Sequence, residues 1–148
     1  MTKDCVGRPM EILLVEDSLV FARITIEALK KGDVRHRLTL VVDGEEALDF
    51  LHRRDRFARA PRPDLVLLDL GLPKKDGREV LAEIKQDDRL RDIPVVVVTS
   101  SDDESDMHHS RLLGVDGYMT KPVDLEQFLA LVRQLRHAWH SDIALPVL

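Results

Sequence analysis

A doubly wound α/β fold on a five-stranded parallel sheet is the architecture this sequence predicts, and three observations carry the prediction. Short runs rich in Val, Ile and Leu alternate with segments of helical period, the pattern of successive βα units. All but the second run are free of polar interruption, so helices are expected on both faces of the sheet. The 148 residues suit one domain. At that size folding buries about 70% of the unfolded chain's surface, a core that needs no disulfide.

The strands are expected at Glu11 to Val15, His36 to Val42, Leu65 to Asp69, Val95 to Thr99 and Asp116 to Met119. The first helix follows Ser18 as N-cap, and the four-residue spacing of Val20, Ile24 and Ala28 marks the face that should meet the sheet. The second starts after Asp43-Gly44, where Asp43 and Glu46 fit a capping box, and buries Ala47, Leu48 and Leu51. The third carries Val80, Leu81 and Ile84 and stops before Asp87-Asp88-Arg89; Pro94 then precedes the fourth strand. The fourth helix, Asp103 to Leu113, has only Met107, Leu112 and Leu113 as apolar content and Gly114 as its cap, so it should be the most mobile. The fifth starts at Asp124 with Gln127 as capping-box partner and shows an apolar stripe of Leu125, Phe128, Leu129, Val132 and Leu135.

Composition closes off several functions. Cys5 is the single cysteine, which suits a reducing compartment rather than a disulfide scaffold. No apolar run approaches the roughly 20 residues of a membrane span, and the N-terminal residues lack the apolar stretch of a signal peptide, so the cytoplasm is expected. A formal net charge of −5 argues against direct nucleic-acid binding. Without repeats or linkers, the chain reads as an arm over 1–8, a domain over 9–140 and an apolar tail over 141–148.

Polar residues gather at the carboxyl ends of the expected strands: Glu16 and Asp17 after the first, Asp69 at the third, Thr99 at the fourth, Lys121 after the fifth. With strand order 2-1-3-4-5, that of the flavodoxin-like fold, the switch point falls between strands one and three, where ligands bind. Three carboxylates within about 5 Å repel by about 3 kcal/mol per pair at an effective dielectric near 20, about 10 kcal/mol together. Lys121 offsets part of this. The remainder suits a hard divalent cation on oxygen ligands, Mg²⁺ being the usual cellular one. Asp69 then becomes a carboxylate nucleophile for a phosphoryl group, with Lys121 and the Thr99 hydroxyl neutralising and orienting its oxygens. The alternative is three unrelated solvated acids at strand ends. No phosphate-binding glycine motif occurs, which argues against dinucleotides and flavins. A turnover phosphatase of the aspartyl-phosphate type wants an acid two residues after the nucleophile, where this chain has Gly71.

Four blocks stand in order along the chain: Val15-Glu16-Asp17-Ser18, Leu67-Leu68-Asp69-Leu70-Gly71-Leu72-Pro73 with Asp76-Gly77, Val97-Val98-Thr99-Ser100, and Gly117-Tyr118-Met119-Thr120-Lys121-Pro122. In these the sequence resembles the receiver domains of bacterial response regulators, over nearly its whole length. The resemblance implies that Asp69 is the phosphoacceptor and that Asp17, Asp69 and the Gly71 carbonyl hold Mg²⁺, with Glu16 helping through a water. It implies that Thr99, Ser100 and Lys121 stabilise the phosphoryl group, and that Thr99 and Tyr118 are a switch pair acting on the face of helix four, strand five and helix five. It further implies a cis peptide between Lys121 and Pro122.

Finer features are similar to the single-domain regulators that partner phytochrome histidine kinases: Arg59-Ala60-Pro61-Arg62-Pro63-Asp64, the run Asp76 to Lys85, Lys121-Pro122-Val123-Asp124-Leu125, and a tail with Trp139 and Ala144-Leu145-Pro146. The expected partner is therefore a sensor histidine kinase. Gly71 departs from the Asn common in that group, which puts the phosphoryl lifetime, and not metal binding, in question. Two other readings stay open: a pseudo-receiver that binds partners without phosphorylation, and a phosphorelay shuttle.

Arg53, Arg54, Arg56, Arg59 and Arg62 read as a solvated helix end. His108-His109 and the His137/His140 pair lack a third ligand nearby and read as bystanders. Apart from its place beside Lys121, Tyr118 would be a half-buried core ring. The apolar tail, Ile143 to Leu148, suggests a homodimer packed through helix five.

Overall fold

The structure, a computed structural model, describes residues 8–32 and 35–135. Its order is β1 (Met10–Val15), α1 (Leu19–Lys31), β2 (His36–Val41), α2 (Gly44–Leu51), a single 3₁₀ turn at Asp55–Phe57, β3 (Leu65–Leu68), α3 (Gly77–Gln86), β4 (Val95–Thr99), α4 (Glu104–Leu112), β5 (Gly117–Thr120) and α5 (Leu125–Gln134). The five strands form one sheet in the order β2-β1-β3-β4-β5, every pairing parallel. This is the doubly wound, flavodoxin-like order expected from the sequence.

Successive side chains of a strand point to opposite faces, and that alternation divides the core in two. Leu13, Val15, Val66, Leu68, Val95 and Val97 pack on one face with α2 and α3 residues such as Leu48, Val80 and Ile84. Ile12, Leu14, Leu65, Leu67, Val96 and Val98 pack on the other with Leu29 of α1 and Phe128 and Val132 of α5. At the amino end of the sheet the buried Asp64 carboxylate takes a two-pronged ion pair from Arg8, at 2.7 and 2.9 Å, and the Glu11 N–H at 2.8 Å.

The helices start where short polar side chains cap them. Ser18 accepts from the Phe21 N–H, Asp43 from Glu46 and Asp124 from Gln127. Glu46 itself reaches back to the Val42 N–H, one residue before the cap. The full capping box is at α3, between Asp76 and Glu79. Gly114, just past α4, takes φ +86°, the left-handed conformation that ends helices without a Cβ clash.

Two expectations are corrected. The face of α1 toward the sheet carries Ala22 and Leu29, whereas Val20 and Ile24 are 73% and 54% exposed. Helix α1 has apolar residues on more than one side, so spacing selects no single stripe, and the path of the chain out of β1 decides which one packs. Strand β5 is half-buried rather than covered on both faces, because it is an edge strand. In keeping with its low apolar content, α4 leaves Leu112 71% exposed and buries Ser110. The arm over 1–7 and the tail from 136 onward lie outside the described residues, so the arm and tail boundaries expected from the sequence rest on it alone.

Candidate functional site

Parallel register brings the polar strand ends together. Val15 of β1 pairs with Leu68 of β3, so Glu16, Asp17 and Asp69 emerge side by side. Thr99 ends β4 opposite Thr120 of β5, which places Lys121 next to them. One cavity of about 330 Å³ is lined by Glu16, Asp17, Ser18, Asp69, Gly71, Arg78, Thr99, Ser100, Ser101 and Lys121. Every residue assigned from the sequence to metal or phosphoryl contact lies in this wall. Arg78 and Ser101 were not expected there, because their placement depends on how α3 and the β4–α4 connection fold over the sheet.

The Lys121 ammonium is the electrostatic centre, 2.6 Å from Glu16 Oε1 and 3.0 Å from Asp69 Oδ2. It also stands 4.1 Å from the centroid of the Phe21 ring, a cation–π contact. Burial pushes Glu16 up from the ordinary carboxylate range, and its bonds to Lys121 and the Ser18 N–H only partly oppose this. Burial acts the same way on Asp69. There the Lys121 ammonium, the Thr99 hydroxyl and the Gly71 N–H, 3.1 Å from Oδ1, outweigh it and hold the carboxyl below its ordinary value. Lys121 is in turn held up by its two carboxylates against the effect of burial. Asp69 is thus kept ionised, as a nucleophile requires.

Glu16, Asp17 and Asp69 can bring one carboxylate oxygen each within 4.8 Å of one another, and among the described residues they are the one group of His, Cys, Asp or Glu so placed. Three acids against one ammonium leave a negative balance, and an all-oxygen donor set fits a hard divalent cation. His108 and His109 are exposed and join no such group; His137 and His140 lie outside the described residues. The Lys121–Pro122 peptide is cis. Tyr118 is half-buried against the core and its hydroxyl donates to the Ser101 carbonyl at 2.9 Å, a partner the sequence did not suggest. In the arginine-rich stretch, Arg54 pairs with Asp49 at 3.5 Å, Arg56 with Glu46, and Arg62 with the Arg89 carbonyl.

Helix α3 closes the site from below. Its Gly77 N–H donates to the Leu70 carbonyl at 2.9 Å, and a Cβ on Gly77 would meet the Asp69 carbonyl oxygen at 2.1 Å. Only glycine lets the helix start against the backbone of the acidic strand end.

The chain is similar to proteins of known structure over most of its length. The chain is 46% identical over 138 residues to the response regulator Rcp1 of Synechocystis sp., covering 93% of this chain and 94% of that protein. It superposes on the crystal structure of Mn²⁺-bound Rcp1 with a TM-score of 0.77 at 45% identity, over 94% of this chain and all of the other. It superposes on the phosphorylated cyanobacterial phytochrome response regulator RcpA with a TM-score of 0.76 at 47% identity, over 94% of this chain and 99% of the other. Residues 12–133 match the model of the response regulator receiver domain, and the chain belongs to that family.

Proposed function

We propose that Asp69 accepts a phosphoryl group from the phosphohistidine of a sensor histidine kinase, with Mg²⁺ as the cation held by Asp17, Asp69 and the Gly71 carbonyl and, through water, by Glu16. The observation that carries this reading is the Lys121 ammonium bonded to both Glu16 and Asp69 while Asp69 stays ionised.

In the transfer, a carboxylate oxygen of Asp69 bonds to phosphorus as the bond from phosphorus to the donor's imidazole nitrogen breaks, and the imidazole leaves with that electron pair. When bound, the divalent cation supplies charge neutralisation at the phosphoryl oxygens. Lys121 exchanges its contact with the carboxylate for one with the phosphoryl group. The Thr99 hydroxyl and the polar groups of Ser100 complete the coordination of the remaining oxygens. As Thr99 turns toward the new group, Tyr118 follows, and the face of α4, β5 and α5 changes shape for a partner.

The donor would dock beside the cavity on α1, where Leu19, Val20 and Ile24 are exposed next to Ser18. A groove of about 420 Å³ between α1 and α5, floored by Phe21, Val98, Val123 and Phe128, continues that surface. Likeness to Rcp1 and RcpA favours a phytochrome as the kinase. A homodimer through α5 and the tail is the assembly we favour, with no direct nucleic-acid contact. Among the described residues no helix is long and apolar enough to cross a membrane, and a cytoplasmic role fits the kinase partner.

The test is intact mass after incubation with Mg²⁺ and acetyl phosphate. One added phosphoryl group, absent in Asp69→Ala and without metal, is the expected result. No adduct, together with no binding of beryllofluoride, would leave the pseudo-receiver reading. Onward transfer of label to a histidine phosphotransfer protein would identify a relay shuttle, and steady release of phosphate from a diffusible ester would identify a phosphohydrolase.

A further inference from the structure

Arg78 belongs to no element of the chemistry above, yet it is the most heavily bonded side chain around the cavity. Its Nε and Nη2 donate to the two carboxylate oxygens of Asp106 at 2.7 and 2.6 Å, the fork-on-fork geometry of strong arginine–carboxylate pairs. Its Nη1 donates to both oxygens of Asp76 at 3.1 Å. Asp106 lies in the first turn of α4, and its Oδ2 also accepts from the Ser101 hydroxyl at 2.7 Å. Ser101 in turn presents its carbonyl to the Tyr118 hydroxyl, and its N–H to the Thr99 hydroxyl oxygen at 3.4 Å. One line of bonds therefore runs from the start of α3 through Arg78, Asp106 and Ser101 to both members of the expected switch pair.

The two ends of this line are held very differently. The start of α3 is packed on the backbone of Asp69 and Leu70 through Gly77. Helix α4 buries a serine and leaves Leu112 in solvent. Where apolar burial positions an element so weakly, a two-pronged ion pair to a fixed neighbour decides where it rests.

We infer that Arg78 is a positioning residue: through Asp106 it braces the first turn of α4 and the β4–α4 connection in the unphosphorylated arrangement, and so opposes the movement that phosphorylation drives. The inference rests on Asp69 being the phosphoacceptor. A shift of Thr99 toward a phosphoryl group would draw on the Ser101 N–H that its oxygen accepts, and Ser101 is tied to Asp106. A looser brace makes the phosphorylated arrangement cheaper, and any ligand of that arrangement then binds more tightly.

The competing possibility is that Arg78, which also lines the cavity, leaves Asp106 on phosphorylation and neutralises the phosphoryl group itself. The two differ in sign. Calorimetric titration of beryllofluoride in the presence of Mg²⁺ should be run on the parent, Arg78→Gln, Asp106→Asn and the double variant, with Arg78→Lys as a variant that keeps the charge and loses the fork. Hydrogen exchange of the peptide covering 100–112, without beryllofluoride, provides the second readout.

The brace predicts about three- to tenfold tighter binding in either single variant, no further gain in the double, a smaller gain in Arg78→Lys, and faster exchange in the first turn of α4. Weaker binding in Arg78→Gln with tighter binding in Asp106→Asn would overturn it in favour of direct phosphoryl contact. Unchanged affinities in variants whose parent binds would reduce the pair to a structural one. A parent that binds no beryllofluoride would remove the phosphoacceptor reading and the brace with it.

Discussion

A Cβ placed on Gly77 would stand 2.1 Å from the carbonyl oxygen of Asp69, so the start of α3 and the strand end bearing the proposed nucleophile are in backbone-to-backbone contact. Neither partner is a side chain that can swing away. Gly77→Ala must therefore part the start of α3 from the backbone of Asp69 and Leu70, and the expected cost is at least about 2 kcal/mol, in the range of overpacked cores. Urea unfolding would measure it, and beryllofluoride affinity should fall in the same variant, since the carboxylate moves with its backbone.

Removing the ammonium tests the charge balance. Lys121→Met leaves Glu16 and Asp69 facing each other with no cation, and an uncompensated buried pair costs about 3 kcal/mol. Without Lys121, two neighbouring buried carboxylates favour retaining a proton, so the folded state binds more protons than the unfolded one. Stability relative to the parent should therefore recover as pH falls from 7 toward 5. A stability difference that stays flat over that interval would show the two acids to be independent.

Divalent cation should stabilise the parent. At a tenfold excess of Mg²⁺ over its Kd, linkage adds about 1.4 kcal/mol. Thermal unfolding with and without Mg²⁺ would show the shift, and Asp17→Asn should abolish most of it, because Asp17 is exposed and has no structural work to lose.

Gly71 has room for a side chain. The only heavy atom near its would-be Cβ is Asp69 Oδ1, at 4.0 Å, and its φ is not left-handed. Gly71→Asn should leave stability within about 0.5 kcal/mol. By narrowing the approach of water to the acyl phosphate it should lengthen the phosphoryl lifetime severalfold. Decay of the intact-mass adduct would report it.

Asp106 offers a pH marker outside the proposed metal site. Arg78 and the Ser101 hydroxyl hold its carboxyl at about 2, below the ordinary 3.8. A depressed carboxylate contributes its full stabilisation above the unfolded value and loses it as pH falls through the folded one. The penalty of Asp106→Asn, about 1 kcal/mol at neutral pH for a part-exposed pair, should therefore persist to about pH 4 and vanish near pH 2. Carbon-detected NMR of the Asp106 carboxyl would follow the titration directly.

Given the strand order of the flavodoxin-like fold, the gathering of Glu16, Asp17, Asp69, Thr99 and Lys121 was readable because it depends on a short list of local signals. Each apolar run ends in a polar residue, and a parallel sheet sends all those ends the same way. The face of α1 was not readable, since Val20 and Ile24 repeat as regularly as Ala22 and Leu29. Arg78 and Asp106 escaped for another reason. They are 28 residues apart, meet across two helix starts, and look in sequence like the ordinary charges of a first helical turn. Pairings of that kind belong to tertiary structure and leave no period to detect.

Both free margins of the sheet carry protection against self-templating. The β5 side is only four residues long and runs into Lys121–Pro122, whose proline offers no N–H to an incoming strand. On the β2 side Arg37 is exposed and charged, and is paired at 3.6 Å with Glu11 of β1. A strand from another molecule would find a four-residue ladder that ends at a proline on one margin and a ladder carrying a charged arginine on the other. Both edges of the open sheet thus discourage a second copy from adding a strand.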